Sequence, residues 1–252
     1  MTAPFDDNTL LLFTHIPKCA GSSFRDSLIV PNVAPELIFM PKGGLRAIAT
    51  SRLDFQYLVG HWPYGIHHAF HGQNPVRQRR RIYITILRQP IEQMLSLYYY
   101  RRRLEEKKQE TGRFSGTEDA TAFYQRERGA RNMQCKQLAG LPWWCEKSPL
   151  RALVDYVPAL ALYLAQRNLE RHYHFVLQLE RSQDQFPTLA QILEIRYEPT
   201  ITEATVTRDR PKGKSIREDQ REKLARWNRY DQRLYDSSTT LPTCRSLNSN
   251  PA

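Results

Sequence analysis

Cysteine is scarce in this chain: four in 252 residues, at positions 19, 135, 145 and 244, with no C-x-x-C pair among them. That spacing argues against a zinc site. In a chain of this length free thiols are expected, with a Cys135–Cys145 disulfide as the alternative. No run approaches the ~18 consecutive apolar residues of a membrane-spanning helix. The opening segment "MTAPFDDNTL" has neither the basic nor the apolar region of a secretory leader, so a soluble cytoplasmic protein is expected. Internal repeats are absent, and no linker divides the chain before its end. One domain over residues 1–236 is therefore expected. The polar, turn-forming residues 237–252 should form a disordered tail.

What the chain does have is positive charge. Thirty-seven Lys and Arg against 26 Asp and Glu give a net charge of +11. Such an excess points to an anionic partner or ligand: a phosphorylated cofactor, a polyanionic glycan, nucleic acid or an anionic membrane. Apolar residues make up 40% and aromatics 11%, enough for a packed core.

Strand-like segments alternate with helical ones. "LLFTHI" (11–16), "FQYLVG" (55–60), "RIYITILR" (81–88) and "HFVLQLE" (174–180) are compact and apolar, as buried strands are. Helical patterning follows Ser22 and Ser23. It returns over 91–108, 120–138, 150–168 and 182–194. Ser182 with Gln185, and Ser215 with Glu218, have capping-box spacing. The second pair should open one long helix whose face gathers Leu224, Trp227, Asp231, Leu234 and Tyr235. The alternation predicts an α/β fold: a three-layer, P-loop-like sandwich with a central parallel sheet flanked by helices. Ligands of such sheets bind beyond the carboxyl ends of the strands.

The stretch "HIPKCAGSSF" lies at the first of those ends. Small residues let backbone N–H groups approach an anion, a helix start adds unpaired donors, and Lys18 adds a full charge. The Walker A pattern G-x-x-x-x-G-K-[ST] is absent, since the lysine comes early. An anion cradle is expected here, and a plain βα turn is the alternative. "TILRQPIEQMLSLYYYRRR" (85–103) repeats the layout. Arg88 ends a strand, and Ser96 lies two helical turns further on, facing the helix start. The planar fork of arginine suits phosphate.

Together these stretches resemble sulfotransferases that use 3′-phosphoadenosine 5′-phosphosulfate (PAPS), in the heparan sulfate 2-O-sulfotransferase-like group. "HIPKCAGSSF" is similar to their 5′-phosphosulfate loop and "LRQPIEQMLSLYYY" to their 3′-phosphate motif. "GHWPYG" (60–65), "RNMQCKQLAG" (131–140) and "NRYDQRLYD" (228–236) extend the likeness to residue 236. The resemblance implies that Lys18, Cys19, Ala20, Gly21, Ser22, Ser23 and Phe24 hold the 5′-phosphosulfate. Arg88 and Ser96 would hold the 3′-phosphate. Arg210, Lys212, Gly213 and Lys214 would belong to a basic loop closing over the nucleotide. Two positions depart from the family pattern. Cys19 stands where threonine is frequent, its backbone N–H being what the cradle needs. Val59 stands where some members carry a second histidine.

In sulfuryl transfer a protein mainly positions groups and neutralises the charge growing on the leaving oxygen. Lys18 is placed for that charge. His61, directly after a strand, is the expected general base toward a hydroxyl acceptor, by resemblance a carbohydrate; the basic segments 77–81 and 101–108 read first as solvated faces, with a rim for an anionic glycan as the alternative. His15 is read as positional, and His67, His68 and His71 as a loop near the acceptor. No metal is expected. Two rival readings remain: an atypical P-loop-like kinase with Glu180 as its magnesium-binding acid, and a basic nucleic-acid-binding module. The latter is disfavoured because no recognised nucleic-acid motif is present.

Overall fold

The computed structural model describes residues 8–40, 55–69, 79–108, 119–140, 157–199 and 216–238. Five strands form one sheet in the order β2-β3-β1-β4-β5, every neighbouring pair parallel. They are β1 (Thr9–Thr14), β2 (Ile38–Phe39), β3 (Tyr57–Gly60), β4 (Arg80–Leu87) and β5 (Tyr173–Gln178). This is the expected parallel α/β sandwich. The two-residue β2, at the edge, has no signature in the sequence.

The chain leaves central β1 toward one edge, returns through β3, then crosses to β4 on the other side. The sheet therefore reverses its winding at β1, where open α/β sheets bind ligands.

Both sheet faces are covered, which explains why the strands read as continuous apolar runs. Along β1, Leu10 and Leu12 enter one core with Leu58, Tyr83 and Val176. Leu11 and Phe13 enter the other with Tyr57, Ile84 and Phe175. The second core is closed by α1 (Gly21–Phe24), whose run continues as a π-turn over Arg25–Ile29, and by α6 (Ser182–Ile192). The first is closed by α4 (Met133–Ala139), α5 (Pro158–His172) and α8 (Arg229–Ser238). A third, smaller core joins α2 (Pro90–Lys108), α3 (Ala120–Arg126) and α7 (Glu218–Trp227). Each Leu, Ile, Val or Phe side chain fully buried in these cores contributes roughly 1.5–3 kcal/mol.

The structure corrects several sequence expectations. The helix expected over 120–138 is two helices, α3 and α4: Glu127 leaves helical geometry at the end of α3 (ψ 59°), and Asn132 takes a left-handed conformation (φ 48°) just before α4. The long final helix is likewise broken at Asn228 into α7 and α8. Its apolar stripe serves two cores, Leu224 and Trp227 in the third and Leu234 and Tyr235 in the first. The capping box at Ser182 does not form as expected. Ser182 is the first residue of α6, and Gln185 instead accepts from the Gln178 N–H at 2.7 Å. The last pair of helices opens at Glu218, and Ser215 lies outside the described residues. α8 continues through Ser238, past the expected start of the tail. No described helix is long and apolar enough to cross a membrane.

Candidate active site

Three adjacent strands, β3, β1 and β4, end side by side, with Thr14 paired to Gly60 on one side and Thr85 on the other. His61, the Lys18 loop and Arg88 leave from these ends, so one sheet edge collects them.

The loop from His15 to Ala20 is held in an unusual shape. Lys18 (φ 66°) and Ala20 (φ 58°) are both left-handed without being glycine. Each such residue costs on the order of 1–3 kcal/mol and persists only where the surroundings impose it. The surroundings here act on the carbonyls. The His15 carbonyl accepts from Gln137 Nε2 (3.0 Å), and Ile16 from the Cys19 N–H (3.2 Å). The Pro17 carbonyl accepts from Gln93 Nε2 (3.0 Å), Lys18 from Arg88 Nη1 (2.9 Å), and Ala20 from the Phe24 N–H (3.0 Å). Five loop carbonyls are thus tied back into the protein. A loop with its negative ends turned inward is suited to an anion on its other side.

Gly21 has a steric reason to be glycine. A Cβ there would stand 1.9 Å from His15 Cδ2. The His15 ring lies flat on the start of α1 and stacks on Phe13 at 5.8 Å between ring centres. Burial, reinforced by His61, Arg25 and Lys18, pushes its pKa down to about 3, so it stays neutral. Its place supports the positional reading.

Two residues assigned to the cradle sit differently from expectation. Cys19 is 1% exposed, and its N–H already closes a turn onto Ile16, so it is not offered to a ligand. Burial pushes its thiol pKa well up. Phe24 is fully buried and stacks on Phe13 at 4.3 Å, so its ring is core. Ser22 and Ser23 stand half-buried on the first turn of α1.

Arg88 is gripped through its backbone: Gln134 accepts from its N–H (3.0 Å) and donates to its carbonyl (2.8 Å). Gln93 reaches the Pro17 carbonyl, and the Lys18 ammonium lies 4.3 Å over the Tyr100 ring. Ser96, three residues after Gln93 and four before Tyr100, shares that face of α2 and is buried. Sequence pattern pairs Ser96 with Arg88 but gives no signal for Gln93 and Tyr100. Arg210, Lys212, Gly213 and Lys214 lie outside the described residues.

His61 is exposed, and its Nδ1 is 2.8 Å from the His15 carbonyl oxygen. A carbonyl only accepts, so Nδ1 carries the proton and the Nε2 lone pair is available. Desolvation holds its pKa below 6.5, with the Lys18 charge adding and the carbonyl bond opposing. The side chain is therefore a neutral base near pH 7.

Glu180, the acid that a kinase reading needs, accepts from the Gln89 N–H (2.9 Å) and the Tyr235 hydroxyl (2.8 Å). Both its oxygens support the fold. His67 is 4% exposed, with Nδ1 2.6 Å from the Tyr83 hydroxyl, and so is structural. His71 is outside the described residues.

A parallel α/β domain with a left-handed loop, an arginine and an oriented histidine gathered at its switch point is the class these features define. The model of the sulfotransferase family matches residues 2–237, and the chain belongs to that family. No match is found among curated proteins. Among solved structures the chain is similar to a sulfotransferase from Alicyclobacillus acidocaldarius, at 14% identity and a TM-score of 0.43, over 91% of this chain and 95% of that one.

Proposed function

We propose that the protein transfers a sulfuryl group from PAPS to a hydroxyl acceptor, a carbohydrate in the first instance, by in-line displacement with His61 as general base. The observation that carries this reading is the loop at 15–20, whose carbonyls are all engaged by protein donors except that of Cys19, for which no bond is described. That construction fits a phosphosulfate. Gly21 to Ser23 and Lys18 would hold it, and Arg88 with Ser96 would hold the 3′-phosphate. The cofactor supplies an activated sulfuryl group on a phosphate leaving group.

The chain's own residues do the rest. Lys18 neutralises charge that develops on the leaving oxygen, where such charge stabilisation is most effective. His61 Nε2 takes the acceptor's proton as the acceptor oxygen bonds to sulfur. Arg88 ties the two phosphate sites together, since its guanidinium also holds the Lys18 carbonyl. The net charge of +11 suits an anionic glycan as acceptor. The buried free thiols of Cys19 and Cys135 suit a reducing, cytoplasmic setting.

The test is incubation with 35S-labelled PAPS and a panel of neutral glycans, anionic glycans and small alcohols. Label should move to a hydroxyl-bearing carbohydrate without added magnesium. Transfer from ATP instead, dependent on magnesium, would overturn the reading.

A further inference from the structure

Helix α4 carries two buried glutamines, Gln134 and Gln137, one turn apart and on one face. Gln134 grips Arg88 on the nucleotide side. Gln137 grips the other side of the site. Its Nε2 donates to the His15 carbonyl (3.0 Å) and to the Trp62 carbonyl (3.2 Å), and its own main-chain carbonyl accepts from the Tyr64 N–H (3.1 Å).

We propose that Gln137 is a positioning residue for the general base, fixing the orientation and tautomer of His61. This inference rests on the assignment of His61 as base. The His15 carbonyl has two lone pairs. One receives His61 Nδ1–H and the other the Gln137 amide. With both occupied, the carbonyl cannot swing away from His61, and the imidazole has one stable arrangement, with Nε2 unprotonated. The bonds to Trp62 and Tyr64 hold the segment that carries His61 at the same time. Gln137 is 2% exposed, so no water stands in for it easily. Among side chains of this length, only an amide places two N–H donors between two carbonyls. Met fills the same volume with no donor, and Glu replaces the donors with a charge that repels both carbonyls.

The experiment uses the full chain with 15N-labelled histidine, saturated with 3′-phosphoadenosine 5′-phosphate, and assigns the His61 resonances by their loss in His61→Ala. In the wild type, His61 Nδ1 should appear protonated and Nε2 unprotonated at neutral pH. In Gln137→Met and Gln137→Glu, the two tautomers should mix; because Gln137 also ties the His15 carbonyl of the cradle, affinity for the nucleotide should fall as well, by a smaller factor than the rate. Sulfuryl transfer from labelled PAPS to water, the acceptor-free probe, should fall about tenfold to a hundredfold, as small misplacements of a reacting group do. The larger part of that fall should be in kcat rather than in KM for PAPS. A wild-type His61 with Nε2 protonated overturns the proposal, even if neither variant folds. So does an unchanged tautomer and rate in both variants. If His61→Ala itself keeps the full rate, the base assignment is what fails.

Discussion

Arg88 has two partners to satisfy, a phosphate in the proposed function and the Lys18 carbonyl in the fold. Arg88→Ala should lower affinity for 3′-phosphoadenosine 5′-phosphate about tenfold to a hundredfold, the ~1.5–3 kcal/mol of a charge-assisted bond. Loosening of the loop should also weaken, by a smaller factor, the analogue without the 3′-phosphate. Calorimetric titration of both nucleotides checks this, and equal losses would reduce Arg88 to a brace. For His61, replacement by Ala should lower turnover ~10²–10⁴-fold with nucleotide affinity nearly unchanged. Wild-type turnover should rise with pH through a midpoint below 6.5, because His61 must lose its proton to act and its pKa is held down. A rise that persists in the variant would assign the titration to another group.

At the scale of elements, α4 and α8 cap each other. The Asp231 carboxylate accepts from the Gln134 and Cys135 N–H groups at the start of α4 (3.0 and 2.7 Å). Asn132 Oδ1 accepts from the Tyr230 and Asp231 N–H groups at the start of α8 (3.1 and 3.3 Å), while its Nδ2 donates to the Trp227 carbonyl (3.0 Å). Asn228, at the break between α7 and α8, accepts from the Asn132 N–H. The far end of α4 is held by Asn168 of α5, which donates to the Leu138 carbonyl at 2.8 Å. Helix α8 therefore fixes the helix that holds Arg88 and His61 in place. Asp231→Ala leaves two buried N–H groups without their acceptor and should cost about 2–4 kcal/mol. Asn132→Ala should cost a similar amount, and the double variant less than the sum, since both act in one network. Urea denaturation of the four proteins measures the coupling, and strict additivity would dissolve the clasp into independent caps.

For the molecule as a whole, two buried groups pull its pH dependence in opposite directions. His15 refuses a proton that the unfolded chain binds below about pH 6.5, so stability is lost as pH falls from there toward 3. Asp231 is pushed up to about 6, chiefly by burial, against the hydrogen bonds from Cys135 and Gln134 and the Lys136 charge. Its folded state binds protons more tightly than the unfolded one, so this term weakens stability as pH rises from about 4 to 6. The opposed slopes should flatten the wild-type profile across that window. In Asp231→Asn, stability should rise more steeply with pH, and in His15→Phe it should turn downward. Thermal unfolding between pH 4 and 7 checks both, and slopes equal to the wild type would remove these two groups from the balance.

The sequence by itself determined the parallel α/β class, four of the five strands and the loop at 15–24 as the place to look. These follow from local chemistry: apolar runs long enough for strands, small residues at a turn, a lysine beside a helix start. It also singled out His61 and Arg88, because a residue directly after a strand projects at the sheet edge whatever the rest of the chain does. Only the tertiary structure decided which strands are neighbours, and therefore that Lys18, His61 and Arg88 meet. Phe24 and Cys19, which the resemblance puts in the cradle, turn their side chains into the core, since burial and an engaged N–H depend on what packs from elsewhere. The breaks at Asn132 and Asn228 were hidden for the same reason. Each asparagine reads as an ordinary helix position until the other, roughly a hundred residues away, supplies the hydrogen bond that makes a break favourable. Gln134 and Gln137 were visible as letters, but an amide becomes a clamp only when the carbonyls it holds are brought to it by other strands.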